Sequence, residues 1–229
     1  MTKRALIYAW MIIVIGIAVV ATAILKWQNS SGEAWVVCLG LAAFASTLKV
    51  KLPRLTGTIS PGFVFLLVAV ATRSWTETVV LAMVSGVVQC LWRPKTRPSA
   101  LQVGFNGSMM SIASGVTYGA ARWLIAVGAA DMLLVVLGVA GVMLLVSNTL
   151  MLSTILCLIK EAPFVTVLRS VEVWAVPYYL AGGVLANVWT HVPLTARTGL
   201  TIVAAVSVYL LSVCTREVRL MIGEGNCNV

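Results

Sequence analysis

Apolar residues in this 229-residue chain fall into eight runs separated by short polar or charged connections. A perpendicular membrane-spanning helix needs about 20 such residues, and shorter runs still cross where neighbours bury their ends or the bilayer thins. The pattern predicts an all-α, polytopic transmembrane helical bundle of about eight spans. The runs cover roughly 5–25, 34–48, 59–72, 76–92, 101–119, 132–159, 174–190 and 198–215.

Basic residues between the runs test this number, because each span added or removed moves every later connection to the other side of the membrane. With eight spans and the N-terminus inside, twelve of the sixteen lysines and arginines lie on the cytoplasmic side. The four external ones are Lys26, Arg73, Arg122 and Arg197. Because the positive-inside rule predicts such a bias, we expect eight spans with both termini cytoplasmic. Six or seven spans are the alternatives.

Composition agrees with a membrane protein. The chain is 60% hydrophobic and 10% charged, whereas ordinary globular domains carry about 25% charged residues. Its net charge of +9 is spread between apolar runs, which disfavours a nucleic-acid partner. The first run is longer than the apolar part of a signal peptide and lacks a small-residue cleavage site, so we expect a retained span. Residues 1–229 are predicted to form a single integral membrane domain.

One connection has a helical pattern of its own. Pro163 suits a first helical turn, and apolar residues follow it at helical spacing on one face. Arg169 and Glu172 occupy the wetter side. We expect an interfacial cytoplasmic helix at about 162–172.

The stretch "LPRLTGTISPGF", residues 52–63, contains the first candidate ligand site. Ser60 followed by Pro61 predicts a helix start near Ser60, whose free N–H groups would favour an anion. Nearby basic residues add positive charge, although an ordinary basic loop obeying the positive-inside rule is the alternative interpretation. The candidate ligand-binding residues here are Arg54, Thr56 and Thr58.

A second junction, "LWRPKTRPSALQVGFNG" at residues 91–107, repeats this arrangement of basic residues, a Pro-Ser pair and a helix. Two such units in the same orientation indicate a parallel internal repeat of the sort used by transport folds, although shared topology alone also explains them. The candidate ligand-binding residues here are Arg93, Gln102 and Asn106.

Polar side chains within the runs are more typical of helix packing than of ligand binding, although together they could line a polar cavity. No Lys, Arg, Asp or Glu lies deep within a run, which disfavours proton-driven transport, while Glu77 and Glu172 lie close to run ends. The single histidine, His191, belongs to no catalytic motif, and the five cysteines lack CxxC spacing. We therefore expect no catalytic activity, no cofactor and no metal site.

The stretches "STLKVKLPRLTGTISPGFVFLLVAVA" and "TETVVLAMVSGVVQCLW" resemble the multi-span membrane-associated sensor modules of bacterial signalling proteins. In that family such modules are fused to diguanylate cyclase or HD-GYP phosphodiesterase domains. The segment "VEVWAVPYYLAGGVLANV" resembles their penultimate span. The resemblance implies a bacterial inner-membrane helical bundle that senses a signal and passes it to an output domain. It assigns no ligand residues, and we expect no such output domain after the last span.

These observations lead to a stand-alone sensor or signalling module as the first hypothesis. Its partners would be the lipid bilayer and a cytoplasmic signalling protein or another membrane subunit. The second hypothesis is a small-molecule transporter, or the membrane substrate-binding subunit of one. A structural or assembly protein is the third.

Overall fold

In the computed structural model the described part of the chain is helical, with seven α-helices and no strand. The structure describes residues 2–27, 32–48, 60–92, 94, 97–161, 163–165 and 175–192. The chain divides into two compact units, Met1–His191 and Val192–Val229, and all seven helices belong to the first. They are α1 (Lys3–Leu25), α2 (Gly32–Thr47), α3 (Gly62–Thr72), α4 (Trp75–Leu91), α5 (Ala100–Leu124), α6 (Leu133–Lys160) and α7 (Val176–His191).

The prediction of an all-α protein is confirmed for these residues, and each helix lies over one of the first seven apolar runs. The eighth run, 198–215, and most of the predicted interfacial helix, 162–172, lie outside the described residues. Among the helices described, α1 and α6 are the two that are both long and apolar enough to cross a membrane. The number of spans, the side of each terminus and the single-domain organisation remain predictions.

The sequence predicts that α3 starts near Ser60, and in the structure the helix begins two residues later, at Gly62. The Ser60 hydroxyl accepts a hydrogen bond from the Gly62 N–H at 3.2 Å. It also donates one to the carbonyl of Ala45 at 3.0 Å, near the end of α2. The serine therefore satisfies a free N–H of the helix start, as a capping residue does, and joins two successive helices.

Helix α5 extends beyond the predicted limit of its apolar run at residue 119. It continues to Leu124 and is followed by a π-helical turn, Ile125–Ala129, which ends the element around Gly128 with a φ of 103°. The helix passes through Arg122, whose guanidinium lies 4.9 Å from the centre of the Tyr118 ring. A charged residue can lie within the last turn because its side chain reaches out along the helix surface.

Contacts between α1 and α5 show that these helices run in the same direction. A Cβ added at Gly104 would lie 3.5 Å from Ile13, and one added at Gly115 would lie 4.0 Å from Val19. Between these two contacts along the helix pair, Gly16 packs directly against Ser108. Residue numbers therefore increase together along both helices, as they must in a parallel pair.

Similar contacts give the relative directions of the other helices. Helix α6 is antiparallel to α1, because Thr2 hydrogen-bonds to the Leu158 carbonyl and Tyr8 to the Met151 carbonyl. Helix α7 is antiparallel to α6, since Gly141 packs against Tyr179 and Gly183 against Leu137. Helix α4 is antiparallel to α5, since Gly86 faces Asn106 and Gly115 faces Val79. Helix α3 is parallel to α7, since the Phe63 ring stacks on Tyr179 and Phe65 contacts Trp189.

The described helices thus form an up-and-down bundle in which odd-numbered helices run one way and even-numbered helices run the other. We call the end where α1 and α5 begin the basic end, because the exposed residues Lys3, Arg4, Arg97 and Lys160 lie there. The other end is called the tryptophan end, because five of the eight tryptophans lie there. These are Trp27, Trp35, Trp75, Trp123 and Trp189.

Small residues occupy many of the closest helix contacts, while large apolar side chains cover much of the outside. Ala5, Ala9, Ala42 and Ala140 are almost fully buried. By contrast, the outer face of α1 exposes a series of large side chains, including Ile7, Trp10, Val14 and Ile17. Such an exterior would be unfavourable in water and matches the hydrocarbon region of a bilayer.

Candidate functional site

Four of the six candidate ligand-binding residues, Arg54, Thr56, Thr58 and Arg93, lie outside the described residues. The other two, Gln102 and Asn106, lie one turn apart on α5 at the basic end. These two side chains and the start of α5 show part of the second predicted junction, and the six ligand-binding assignments remain predictions.

Gln102 completes a capping box at the start of α5. Its Oε1 accepts a hydrogen bond from the N–H of Ser99 at 2.9 Å, and the Ser99 hydroxyl accepts one from the Gln102 N–H at 3.3 Å. This reciprocal pair satisfies two N–H groups at the helix start. The exposed Gln102 side chain thus has a structural role that accounts for its position without a ligand.

Asn106 lies at the contact between α4 and α5. Its amide Nδ2 donates to the carbonyl of Gln102 at 2.9 Å and contacts the Cys90 sulfur at 3.5 Å. The helices approach closely here, since a Cβ added at Gly86 would lie 2.9 Å from the Asn106 carbonyl oxygen. The amide nitrogen is therefore used within the bundle, in agreement with the packing role expected of polar side chains in membrane helices.

The most buried ionisable group described is Glu77, in the first turn of α4, with only 2% of its surface exposed. Its Oε2 accepts hydrogen bonds from the N–H of Ser74 at 3.0 Å and from the Ser74 hydroxyl at 2.9 Å. In return, the Ser74 hydroxyl accepts from the Glu77 N–H at 3.3 Å. A carboxylate at this position also interacts favourably with the positive end of the helix dipole.

The surroundings of Glu77 are polar on several sides. Thr76 and Thr78 are buried beside it, and the Thr76 hydroxyl lies 2.9 Å from that of Ser74. This buried polar centre at the tryptophan end was not among the predicted site residues. The spacing Ser-x-x-Glu, typical of a capping box, could have indicated it.

Arg122 connects the end of α5 to the turn between α3 and α4. Its guanidinium donates to the carbonyl of Arg73 at 3.4 Å while its plane lies over the Tyr118 ring. The carbonyl belongs to the residue that ends α3, immediately before the cap of α4. Three helices therefore converge around the two arginines and Glu77.

Most interior hydroxyls bond to the carbonyl one turn earlier in their own helix. Ser111 donates to Gly107 at 2.9 Å and Thr117 to Ala113 at 2.8 Å. The Ser108 hydroxyl instead donates to the Ile13 carbonyl of α1 at 3.5 Å. The hydroxyls of Ser85 and Ser153, and likewise the amide oxygen Oδ1 of Asn148, are buried without a hydrogen-bond partner in the described part of the chain. A hydroxyl that donates within its own helix has used its hydrogen and can offer a solute only its acceptor lone pairs.

Comparisons with known proteins do not identify this chain. No family model, no curated protein and no solved structure matches it. Within the described ranges, no group of three or more His, Cys, Asp or Glu side chains is placed to hold a metal ion. The resemblance to bacterial sensor modules therefore remains a prediction.

Proposed function

We propose that this protein is a multi-pass protein of the bacterial inner membrane that works as a stand-alone sensor or signalling module without catalytic activity. In this proposal eight helices cross the membrane and both termini are cytoplasmic. The basic end of the described bundle faces the cytoplasm, and the tryptophan end faces outward.

The distribution of charged residues supports this orientation, and that of the tryptophans supports a membrane location. Among the described residues, the basic end has four basic residues and one acidic residue, Glu161. The described positions at the tryptophan end include three basic and three acidic residues, namely Lys26, Arg73 and Arg122 with Glu33, Glu77 and Asp131. Cytoplasmic connections carry an excess of lysine and arginine, whereas tryptophans concentrate at both membrane interfaces and do not set the direction.

The observation that carries the sensor proposal is the tight packing of helices through glycine. A Cβ at Gly141 would lie 2.9 Å from the Tyr179 carbonyl oxygen, and one at Gly183 would lie 3.0 Å from that of Leu137. Contacts of this kind favour a small number of discrete packing arrangements, because close-packed interfaces do not deform continuously. A bundle with discrete arrangements can report binding at one place as movement at another.

The basic end is suited to report such movement. The Thr2 hydroxyl donates to the Leu158 carbonyl at 2.8 Å, which joins the first turn of α1 to the last turn of α6. A shift of α1 against α6 would break this bond and move the chain that follows Lys160. A cytoplasmic signalling protein in contact with this end could read the change.

Two measurements test the proposal. Chemical cross-linking in cells followed by purification should recover a cyclase, a phosphodiesterase or another signalling protein. Purified protein in liposomes should bind a solute without moving it across the bilayer. Transport of a solute, or recovery of an ATPase without any signalling protein, would contradict the sensor proposal.

The unpartnered polar groups favour the transporter as the second candidate. Ser85 and Ser153 are at most 3% exposed, and their hydroxyls have no partner among the described residues, as is also true of the Asn148 amide oxygen. Buried polar groups without partners are costly unless water or a ligand satisfies them. Solute uptake into liposomes that falls when Ser85 and Ser153 are replaced by alanine would support this candidate.

A further inference from the structure

The four basic side chains of the basic end are exposed and unused within the described part of the chain. Lys3, Arg4, Arg97 and Lys160 make no hydrogen bond or ion pair there. At the tryptophan end, by contrast, Arg122 lies over an aromatic ring and donates to the Arg73 carbonyl. The basic end therefore presents four cations that form no ion pair in that region, where Glu161 is the one acidic residue described.

Three of these cations belong to one seam between two helices. The hydrogen bond from Thr2 to the Leu158 carbonyl places the first turn of α1 beside the last turn of α6. Lys3 and Arg4 follow Thr2 directly, and Lys160 comes two residues after Leu158. Arg97 lies three residues before the start of α5, which runs parallel to α1 at the same end.

Exposed apolar side chains continue from these cations along the same helices. Ile7 and Trp10 are 69% and 53% exposed on α1, one to two turns beyond Arg4. Ile159, beside Lys160, is 44% exposed. A group of cations bordered by an apolar surface matches a molecule with an anionic headgroup and an acyl chain.

We propose that the seam between α1 and α6 binds an anionic phospholipid, with Lys3, Arg4 and Lys160 on the headgroup phosphate. The acyl chains lie against the exposed face of α1 that includes Ile7 and Trp10. This inference rests on the proposed membrane function, since it places the basic end at the cytoplasmic leaflet. Bound lipid would stabilise the contact that joins Thr2 to Leu158, and would thus link membrane composition to the packing of the reporting end.

The test uses the full chain purified in mild detergent and mixed with equal amounts of phosphatidylglycerol and phosphatidylcholine. Native mass spectrometry counts the lipids of each kind that stay bound. We expect a preference for phosphatidylglycerol that falls about fivefold for each basic residue replaced by glutamine, as the attraction of one lysine or arginine to an anionic surface implies. The variants are Lys3→Gln, Arg4→Gln, Lys160→Gln and the triple replacement.

Two controls separate this site from a general effect of charge. The triple variant Lys3→Arg, Arg4→Lys and Lys160→Arg should keep the preference, because it keeps the three charges. Lys26→Gln removes one exposed charge at the opposite end and should also keep it. Equal binding of the two lipids by the unaltered chain, or the same loss in Lys26→Gln, would overturn the inference.

A further arm tests an acidic protein segment as the occupant. The probe is a peptide of eight glutamates. If the unaltered chain binds this peptide and the glutamine triple variant does not, and if the chain shows no preference for phosphatidylglycerol, the occupant is an acidic partner and the lipid proposal is overturned. Topology reporters on the same chain keep the two proposals apart. If the reporters show a multi-pass protein and the lipid preference is absent, the inference fails and the proposed function stands.

Discussion

The close approach of α6 and α7 at Gly141 leads to a quantitative prediction. A Cβ at this position would lie 2.9 Å from the backbone carbonyl oxygen of Tyr179, and backbone atoms cannot rotate away as the end of a side chain can. Gly138, almost one turn earlier on the same helix, is a matched control, because the nearest atom to its added Cβ is a Leu180 methyl at 3.9 Å. Replacing each glycine by alanine adds the same methyl group in two different surroundings.

The expected magnitudes follow from two opposing effects. Alanine is more favourable than glycine in a helix by about 1 kcal/mol, which applies equally to both positions. Overpacking costs about 1–3 kcal/mol and applies to Gly141→Ala alone. The helix effect cancels in the comparison, so we expect Gly141→Ala to be less stable than Gly138→Ala by about 1–3 kcal/mol.

Reversible unfolding in mixed detergent and dodecyl sulfate micelles, followed by tryptophan fluorescence, measures the free energy of unfolding of each variant. Gly183→Ala provides a second test from the α7 side, where an added Cβ would lie 3.0 Å from the Leu137 carbonyl oxygen. The double variant Gly141→Ala with Gly183→Ala should lose less stability than the sum of the losses in the two single variants, because the first methyl group already separates the helices. Equal stability of Gly141→Ala and Gly138→Ala would refute the close packing on which the sensor proposal depends.

Two further predictions concern the capping boxes and the direction of the helices. Glu77→Ala should destabilise the protein by about 1–3 kcal/mol, since it removes a buried carboxylate that accepts hydrogen bonds from the N–H and the hydroxyl of Ser74. Gln102→Ala at the exposed equivalent position should cost less than about 1 kcal/mol. The same unfolding measurement compares them, and an equal cost would contradict the burial of Glu77. In a background without the natural cysteines, Ile13→Cys with Gly104→Cys should form a disulfide on mild oxidation, while Ile13→Cys with Gly115→Cys should not. Gel mobility distinguishes the products, and the reverse result would show that α1 and α5 are not parallel.

The positions of the helices could be predicted well because apolar runs and short charged connections alternate along the chain. The ends were less predictable where a polar residue belongs to the helix. Arg122 lies just beyond the predicted end of the fifth apolar run, yet α5 continues past it. Its guanidinium contacts the Tyr118 ring and donates a hydrogen bond to the Arg73 carbonyl. Tyr118 lies one turn earlier on the same helix, whereas the Arg73 carbonyl belongs to a distant part of the chain. No local sequence pattern around Arg122 could therefore predict its contact with Arg73.

The candidate site was less predictable than the fold, for a related reason. The same residue types serve as ligand groups and as capping groups, and Gln102 has the second role through Ser99. The spacing of a capping box, Ser-x-x-Gln at α5 and Ser-x-x-Glu at α4, was present in the sequence and could have indicated both roles. The burial of Glu77 could not be derived from that spacing, because it depends on how α4 packs against its neighbours.

A map of reporter fusions tests the central claim, that the helices cross the membrane in alternating directions with the basic end inside. The proposal predicts that an enzyme reporter active in the cytoplasm works after Arg54, Arg97, Lys160 and the C-terminus. A reporter active only outside should work after Ser30 and Ala130, at the opposite end of the bundle. Cytoplasmic activity after Ala130, or external activity after Arg97 or Lys160, would contradict the alternating arrangement and the function built on it.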